Sequence, residues 1–443
     1  MTATGELALR GAAPILSRES HRAWPIVGDA ERQAVARVLA RGILSGPFAP
    51  EVMGLQEEFA RYVGAKHCLV THSGTSALVI ALAGVGVGAG DEVIVPAYSF
   101  VATPLAVLQL GAIPVFADVD EATGCVDPEA VERAITKRTR AVMPVHMHGC
   151  AADMGALGDL MQRHGLELVE DAAQAHGATF GGYPVGAIGG AGGFSLQSSK
   201  NLSAGEGGLF VTNVDSVAFE AASARNFGQD LRPADETEYD LERPLDGLRA
   251  LDSRRLGSMY RGNELMAAFA RAQLAQLPDR TARCQRNAKR LADRLAEFPG
   301  VLPPECPAGR TSVYHKFRVR LDPSRAGLSV SPTKLRDVVV TALRAEGLEV
   351  VQWQSGPLPA QAIFQRRSPS DGFPDASLVD RKGATDLARN YDPSQYPRTT
   401  ALLASSFVLF SQSCPLIAQT EDVVDRYADA FERVWSHRKV LCA

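Results

Sequence analysis

A chain of 443 residues is long enough for two domains, and its 46% hydrophobic and 22% charged residues are typical of a globular protein. The net charge of −4 argues against a protein that binds nucleic acid or an acidic membrane surface, and no apolar run has membrane-spanning length. Seven cysteines without a CxxC pair argue against a disulfide framework or a zinc ribbon, so we expect reduced thiols in a cytoplasmic protein.

The first part of the chain leads to a unit of strand, turn and helix. Residues 1–24 are mostly small and polar, which predicts a poorly ordered arm, and helices are expected over 29–41 and 56–62. The stretch 67–71 predicts a strand, and Ser73-Gly-Thr-Ser-Ala-Leu78 follows it and opens a helix. Because the N–H groups and dipole of a helix N-terminus attract anions, this turn is a candidate phosphate site. A simple helix cap is the alternative.

Strands and helices then alternate as far as Thr212. The expected strands are 93–96, 113–117, 141–145, 166–169, 192–196 and 209–212. This pattern predicts an α/β fold with a mostly parallel sheet covered by helices on both faces. In such sheets ligands bind beyond the carboxyl ends of the strands. The residues that fall at or near those ends are 71–75, 96–100, 146–150, 171–174 and Lys200.

The character of the chain changes after the alternating part. Residues 229–257 form a mixed-charge insert too long for a plain connection, and 263–297 predict a long helical hinge. Further on, 313–321 alternate like a strand and 333–346 predict an amphipathic helix. We therefore predict a large domain over 25–275 and a smaller α+β domain over 276–443.

Lys200 stands among serines and glycines in FSLQSSKNLSAGEGGLF (194–210). A surface lysine is the plain alternative, but its position at a strand end favours a Schiff base with an aldehyde cofactor. That cofactor is pyridoxal 5′-phosphate (PLP), which needs a carboxylate at its pyridine nitrogen, a cover for its ring and donors for its phosphate. The residues placed to supply these supports are Asp171 at the nitrogen, Phe100 on the ring face, Gln174 at the ring hydroxyl, and Gly74, Thr75, Ser76 and Ser195 at the phosphate.

Four segments carry a family resemblance: GTSAL (74–78), VIVPAYSFVATPLAV (93–107), LVEDAAQAHGA (168–178) and FSLQSSKNLSAGEGGLFVTN (194–213). They resemble the DegT/StrS family of PLP-dependent sugar and aminocyclitol aminotransferases, which have the fold-type-I architecture. The resemblance implies Lys200 and Asp171 as catalytic residues and assigns the other cofactor contacts as above. A dehydratase branch of the family replaces this lysine by histidine, so Lys200 argues against that branch.

The chain departs from the family pattern at Gly257-Ser-Met-Tyr-Arg261. Family members often have asparagine at the position of Met259, and that asparagine reaches the cofactor phosphate of the neighbouring subunit. Methionine cannot donate a hydrogen bond, so Arg261 or Asn263 is expected to make the contact. The resemblance thus implies a homodimer with sites completed across the interface.

The motif His146-Met-His-Gly-Cys150 has the side chains of a zinc site but lacks a fourth ligand. We therefore predict a turn that lines the active site, with no metal.

The expected reaction is amino transfer from glutamate or glutamine to a ketone on a sugar or cyclitol-like ring in a biosynthetic pathway. His315, Lys316 and Arg318 are the candidates for binding the donor's carboxylate, and Trp353 and Gln354 for contacting the acceptor. No cationic cluster for a diphosphate is evident in the C-terminal domain, which favours a free cyclitol over a nucleotide sugar. Another PLP reaction on the same fold, or a PLP-binding regulator without turnover, are the alternatives.

Overall fold

The computed structural model describes residues 6–46, 49–230, 253–366 and 391–443. Within these ranges the strands are β1 (His67–Thr71), β2 (Glu92–Pro96), β3 (Ile113–Ala117), β4 (Thr139–Val142), β5 (Glu167–Asp171), β6 (Thr179–Phe180), β7 (Tyr183–Pro184), β8 (Ala191–Ser195), β9 (Gly208–Thr212), β10 (Val301–Leu302), β11 (Phe317–Leu321), β12 (Val350–Val351) and β13 (Ser406–Leu409). The helices of the first half are α1 (Asp29–Arg41), α2 (Pro50–Val63), α3 (Gly74–Gly84), α4 (Ala102–Leu108), α5 (Pro128–Ala134), α6 (Met154–His164) and α7 (Asp215–Arg225). Those of the second half are α8 (Glu264–Leu274), α9 (Leu277–Ala296), α10 (Pro332–Ala345), α11 (Ala362–Arg366), α12 (Pro397–Ser405), α13 (Glu421–Ser436) and α14 (Arg438–Cys442).

A seven-stranded sheet forms the centre of the first half, in the order β1-β9-β8-β5-β4-β2-β3. The pairs along β8-β5-β4-β2-β3 are parallel, and β9 runs antiparallel to both of its neighbours. Strands β2, β3, β8 and β9 are buried along their whole length, as expected for a sheet with helices on both faces. The predicted α/β fold with a mostly parallel sheet is confirmed.

A second, antiparallel sheet has the order β10-β11-β13-β12. Its core includes apolar residues of α9, α10 and α13, among them Leu291, Leu343 and Phe431. This is the α+β arrangement expected of the C-terminal region. The division of the chain at residues 275 and 276 stays a prediction.

The N-terminal residues belong to this second core. Leu7 and Leu16 are buried in it, and the backbone N–H of Leu16 donates to the carbonyl of Glu346 at 3.0 Å. Trp24 is buried in the same cluster. The expectation of a poorly ordered arm is therefore wrong for residues 6–24, because two separated leucines in a polar stretch have found apolar partners near the other end of the chain.

Two other sequence expectations change in detail. The strand predicted to begin at Val313 begins at Phe317, because Tyr314 has a left-handed backbone (φ 47°) that interrupts extended structure. The helical stretch 263–297 is two helices, and the second carries Pro278 in its first turn, where a missing N–H costs little. Most of the 229–257 insert, residues 231–252, lies outside the described residues.

Over the ranges that the structure describes, no helix is both long enough and apolar enough to cross a membrane.

Candidate active site

A cavity of about 400 Å³ opens at the carboxyl ends of β1, β5 and β8, within the size range of small-molecule sites. The predicted residues on its wall are Gly74, Thr75, Phe100, Asp171, Gln174, Ser195 and Lys200. The second half of the chain adds His315, Lys316, Trp353 and Gln412. Strand ends that are far apart in the sequence thus supply one site.

The N-terminus of α3 forms one end of the cavity. Ser73 caps this helix, and its Oγ accepts a hydrogen bond from the backbone N–H of Ser76 at 3.1 Å. A Cβ atom on Gly74 would lie 2.6 Å from Cβ of Ser195, which is closer than two non-bonded carbon atoms can approach. Glycine at 74 therefore lets β8 reach the helix N-terminus, where N–H groups and the helix dipole favour an anion.

The two predicted phosphate serines are placed differently. Ser195 faces the cavity, and its Oγ accepts from the N–H of Gln197 at 3.3 Å, which leaves the hydroxyl hydrogen for another acceptor. Ser76 is buried away from the cavity wall, and its hydroxyl bonds to Ser73 at 2.8 Å and to the ring of His72 at 3.2 Å. The part of Ser76 in phosphate binding stays a prediction.

Asp171 ends β5 with a buried carboxylate that is held at both oxygens. Thr103 donates to Oδ2 at 2.8 Å, and the N–H of Ala173 donates to Oδ1 at 3.1 Å. Burial raises the pKa of Asp171, whereas these two hydrogen bonds and the charge of Lys200 lower it. The carboxylate is thus fixed in place, as a partner for a protonated ring nitrogen must be.

Gln174 is oriented by the turn that follows β4. Its Oε1 accepts from the N–H of His148 at 3.0 Å, so its amide nitrogen is the group left to donate. His148 has a left-handed backbone (φ 56°), which turns that N–H toward Gln174. A donating amide fits the predicted contact with a ring hydroxyl.

Lys200 is partly buried on the cavity wall. Desolvation lowers the pKa of its amine to about 8, and the charge of Asp171 opposes this shift. The carbonyl of Lys200 accepts a 3.0 Å hydrogen bond from Nε1 of Trp24, so the N-terminal segment holds the lysine loop. A lysine of lowered pKa has an appreciable unprotonated fraction near neutral pH, as a nucleophile needs.

Aromatic rings form two further parts of the site. Phe100 lies at the cavity with 58% of its surface exposed, so a ring face remains available for stacking. Trp353 lies in the wall with its ring 5.5 Å from Tyr98 and 5.3 Å from His148, both in edge contacts. Such contacts hold an aromatic side chain in one orientation. Gln354 does not line the cavity, and its amide nitrogen donates to the carbonyl of Ser99.

The His146–Cys150 turn contacts Gln174 through the N–H of His148 but does not line the cavity, so the prediction that it lines the active site is wrong. Nδ1 of His146 accepts from the N–H of Ala152 at 3.0 Å, and Nε2 donates to Glu170 at 2.9 Å. Both ring nitrogens of His146 are therefore engaged in the fold. Among the described residues, no group of three or more His, Cys, Asp and Glu side chains is arranged to hold a metal ion.

Arg261 does not line this cavity. Its Nη1 donates to Oδ1 of Asn226 at 2.8 Å, and Met259 beside it is exposed. Asn263 caps α8 through its side chain. A contact from Arg261 to the cofactor phosphate of the neighbouring subunit stays a prediction.

Sequence reasoning missed Thr103, which holds the carboxylate of Asp171. No local pattern points to Thr103, because its bond to Asp171 joins two segments 68 residues apart. Ser73 caps α3, as the helix-cap interpretation of this turn expects.

PLP fits this arrangement on the chemistry of the donor set. The wall combines a desolvated amine, a fixed buried carboxylate, an open aromatic face and a helix N-terminus beside a free hydroxyl. Each of the supports that the cofactor needs is present at one cavity.

Comparison with known proteins gives four findings. Residues 25–382 match the DegT/DnrJ/EryC1/StrS aminotransferase family. The chain is 38% identical to L-glutamine:scyllo-inosose aminotransferase of Streptomyces griseus over 97% of each chain. It is 37% identical to dTDP-3-amino-3,4,6-trideoxy-alpha-D-glucose transaminase of Streptomyces venezuelae, over 76% of this chain and 81% of that one. Among solved structures, 3-amino-5-hydroxybenzoic acid synthase superimposes with a TM-score of 0.77 at 31% identity, covering 96% of this chain and 99% of the other.

Proposed function

Because this chain belongs to the DegT/DnrJ/EryC1/StrS aminotransferase family and is a PLP-dependent aminotransferase, we propose that it transfers the amino group of L-glutamine to a ketone on a cyclitol ring. The observation that carries the proposal is the set of cofactor supports around one cavity, formed by residues that the sequence already singled out. The name of the S. griseus relative, similar over 97% of each chain, supports glutamine as donor and an inosose as acceptor.

The cofactor's part can be stated briefly: PLP supplies an aldehyde carbon that takes up the amino group and a ring that withdraws electrons from the reacting carbon. Lys200 would bind it covalently, and Asp171 would hold the proton on the pyridine nitrogen. Phe100 would cover the ring, and Gln174 would donate to the ring hydroxyl. Gly74, Thr75 and Ser195 would hold the phosphate at the start of α3.

Lys200 would also move the proton. When not bound covalently, Nζ of Lys200 would be a free amine at the cavity wall, where it would accept the proton of the donor's α-carbon and later give it back. A base is most effective when its pKa lies near the operating pH, and burial brings the pKa of Lys200 to about 8. Such transfer is worth roughly 100- to 10,000-fold in rate.

The site is proposed to be completed in a homodimer. Arg261 does not line its own cavity, and the exposed apolar side chains of Phe227, Leu256 and Met259 lie in the same stretch of the fold. Exposed apolar groups of this kind are typical of an interface. We also propose a cytoplasmic location, because a reducing compartment keeps the seven cysteines as the free thiols that the structure has.

A nucleotide-linked sugar is the second candidate acceptor, favoured by the similarity to the S. venezuelae transaminase. The deciding experiment offers scyllo-inosose, 2-deoxy-scyllo-inosose and a dTDP-linked 3-keto sugar, each with glutamine and with glutamate. We expect amination of the inososes with glutamine. Amination of the nucleotide sugar alone would show that the acceptor is wrong, and cofactor conversion by amino acids without amination of any ketone would refute both acceptors.

A further inference from the structure

Lys316 is a second lysine on the wall of the active-site cavity. It lies directly before β11, and its side chain is buried, with 6% of its surface exposed. Within the described part of the chain, no carboxylate forms an ion pair with its ammonium group. A buried ammonium group without a partner is costly, so such a group is expected to serve an anionic ligand.

The electrostatic surroundings of Lys316 support this view. Burial and the positive charge of Lys200 lower the pKa of Lys316 to about 8. Asp171 is on the same wall, but its two oxygens are occupied by Thr103 and Ala173, and Glu206 at the cavity rim is exposed to solvent. A bound anion would therefore be attracted by the charge of Lys316, and its own negative charge would keep the lysine protonated.

The neighbouring basic residues are less suited to that task. Burial and the charge of Lys200 hold the pKa of His315 well below its usual range, so this ring is neutral, and its Nδ1 lies 3.4 Å from Oδ1 of Asn201. Arg318 donates to the carbonyls of Glu121 and Ala122 at 3.4 and 3.2 Å and does not line the cavity. The left-handed turn at Tyr314 presents Lys316 to the site.

We propose that Lys316 binds the α-carboxylate of the amino donor and acts in the donor half of the reaction alone. The inference rests on the proposed function, in which an amino acid and a neutral ring ketone occupy the same cavity in turn. An amino acid brings a carboxylate, whereas a cyclitol ketone brings hydroxyl groups and no charge. Lys316 is thus the group that distinguishes the donor from the acceptor.

The test removes the lysine's charge and the donor's carboxylate separately and together. L-glutamine and L-glutaminol, which has an alcohol in place of the carboxylate, are reacted with holoenzyme, and conversion of the cofactor to its amine form is followed by absorbance. Lys316→Met should lower the second-order rate constant for glutamine roughly 10- to 100-fold, the worth of a charge-assisted hydrogen bond, and leave that for glutaminol nearly unchanged. If the effects of Lys316→Met and of removing the donor's carboxylate are not additive, the difference gives the interaction energy between the lysine and the carboxylate.

Three further measurements exclude indirect explanations. Lys316→Arg should keep most of the preference for glutamine, and Lys289→Met, the same change at an exposed ion pair on α9, should behave as wild type. The amine form of Lys316→Met should still react with the ketone at nearly the wild-type rate. Borohydride trapping should show that the variant keeps its cofactor on Lys200.

The possible outcomes distinguish an error in the role of Lys316 from an error in the proposed function. An equal loss with glutamine and glutaminol, or loss of the cofactor, would overturn the assignment of Lys316 and leave the proposed function intact. If the wild-type enzyme reacts with another amino acid and not with glutamine, the proposed donor fails. The same comparison with that amino acid and its amino alcohol then decides the role of Lys316.

Discussion

The hydroxyl of Thr103 donates a 2.8 Å hydrogen bond to Oδ2 of Asp171, so a residue of α4 holds the carboxylate that ends β5. Thr103 in turn lies 2.8 Å from the hydroxyl of Ser99, and because its own hydrogen goes to Asp171, it accepts from Ser99. Burial raises the pKa of Asp171, and the bond from Thr103 is the largest effect that lowers it. Thr103 therefore favours the ionised carboxylate.

We expect Thr103→Val to move the acid limb of the donor half-reaction to higher pH. Without the donor the anion is less stable, so the pKa of Asp171 rises and activity is lost sooner as the pH falls. A pKa that is higher by one should lower the rate on the acid limb roughly tenfold. Ser99→Ala removes only the outer hydroxyl and serves as the control. An unchanged acid limb in Thr103→Val would contradict this role.

Asp171→Asn should keep some cofactor but lose most amino transfer. The amide cannot hold a proton on the pyridine nitrogen by charge, and lowering the pKa of that nitrogen by about two corresponds to roughly 100-fold in rate. Absorbance of the bound cofactor and single-turnover rates with glutamine measure the two effects separately. Turnover near the wild-type level would show that the carboxylate is misassigned.

Lys200→Ala should abolish the covalent attachment of the cofactor, because this is the desolvated lysine beside Asp171. Borohydride reduction followed by peptide mapping identifies the modified lysine. Lys289→Ala, at an exposed ion pair on α9, is the matched control and should still be labelled at Lys200. An adduct at another lysine in the wild-type protein would refute the assignment.

The rate at which apoenzyme binds PLP covalently should rise with pH through about 8 and then level off. Only the unprotonated amine attacks an aldehyde, and burial lowers the pKa of Lys200 to about 8. The charge of Asp171 opposes that effect, so Asp171→Asn should move the rise to lower pH. Stopped-flow absorbance over pH 6 to about 11 covers the range between the buried and the ordinary lysine pKa. A rise centred near the ordinary value would mean that Lys200 is solvated.

Mixing two inactive variants tests the shared site of the proposed dimer. Lys200→Ala and Arg261→Ala chains, unfolded together and refolded, should regain up to about a quarter of wild-type activity, since half of randomly formed dimers are hybrids with one intact site. Lys200→Ala mixed with Asp171→Asn is the control, because both changes affect residues of the same cavity. Equal recovery in both mixtures, or none in either, would argue against a contribution from Arg261 across the interface.

The sequence predicts those features of the site that depend on local patterns, and not those that depend on contacts between distant segments. One rule, that ligands bind beyond the carboxyl ends of parallel strands, predicts the positions of the site residues Gly74, Asp171, Ser195 and Lys200. The sequence does not show whether Lys316 or Arg318 faces the cavity, because a regular strand would put both side chains on the same face. The backbone turn at Tyr314 delays the strand to Phe317, and only the structure shows that turn.

The same limit applies to the fold. The alternating strands and helices of the large sheet could be read from local apolar runs, and the fold class is confirmed. The places of Leu7 and Leu16 could not be read in this way, because residues 6–24 show no helix or strand period and the partners of these leucines lie hundreds of residues away.

The packing of residues 6–24 against α13 sets an order of events during synthesis. Leu16 and Trp24 share a core with Phe431 and Trp435, and His21 contacts Tyr427 through a 2.9 Å hydrogen bond. Tyr427 lies 406 residues after His21, so the N-terminal segment stays without these partners until α13 has been made. The large sheet can assemble while the chain is still being made. Because Trp24 also donates to the carbonyl of Lys200, the packing of residues 6–24 against α13 fixes the segment that holds the Lys200 loop.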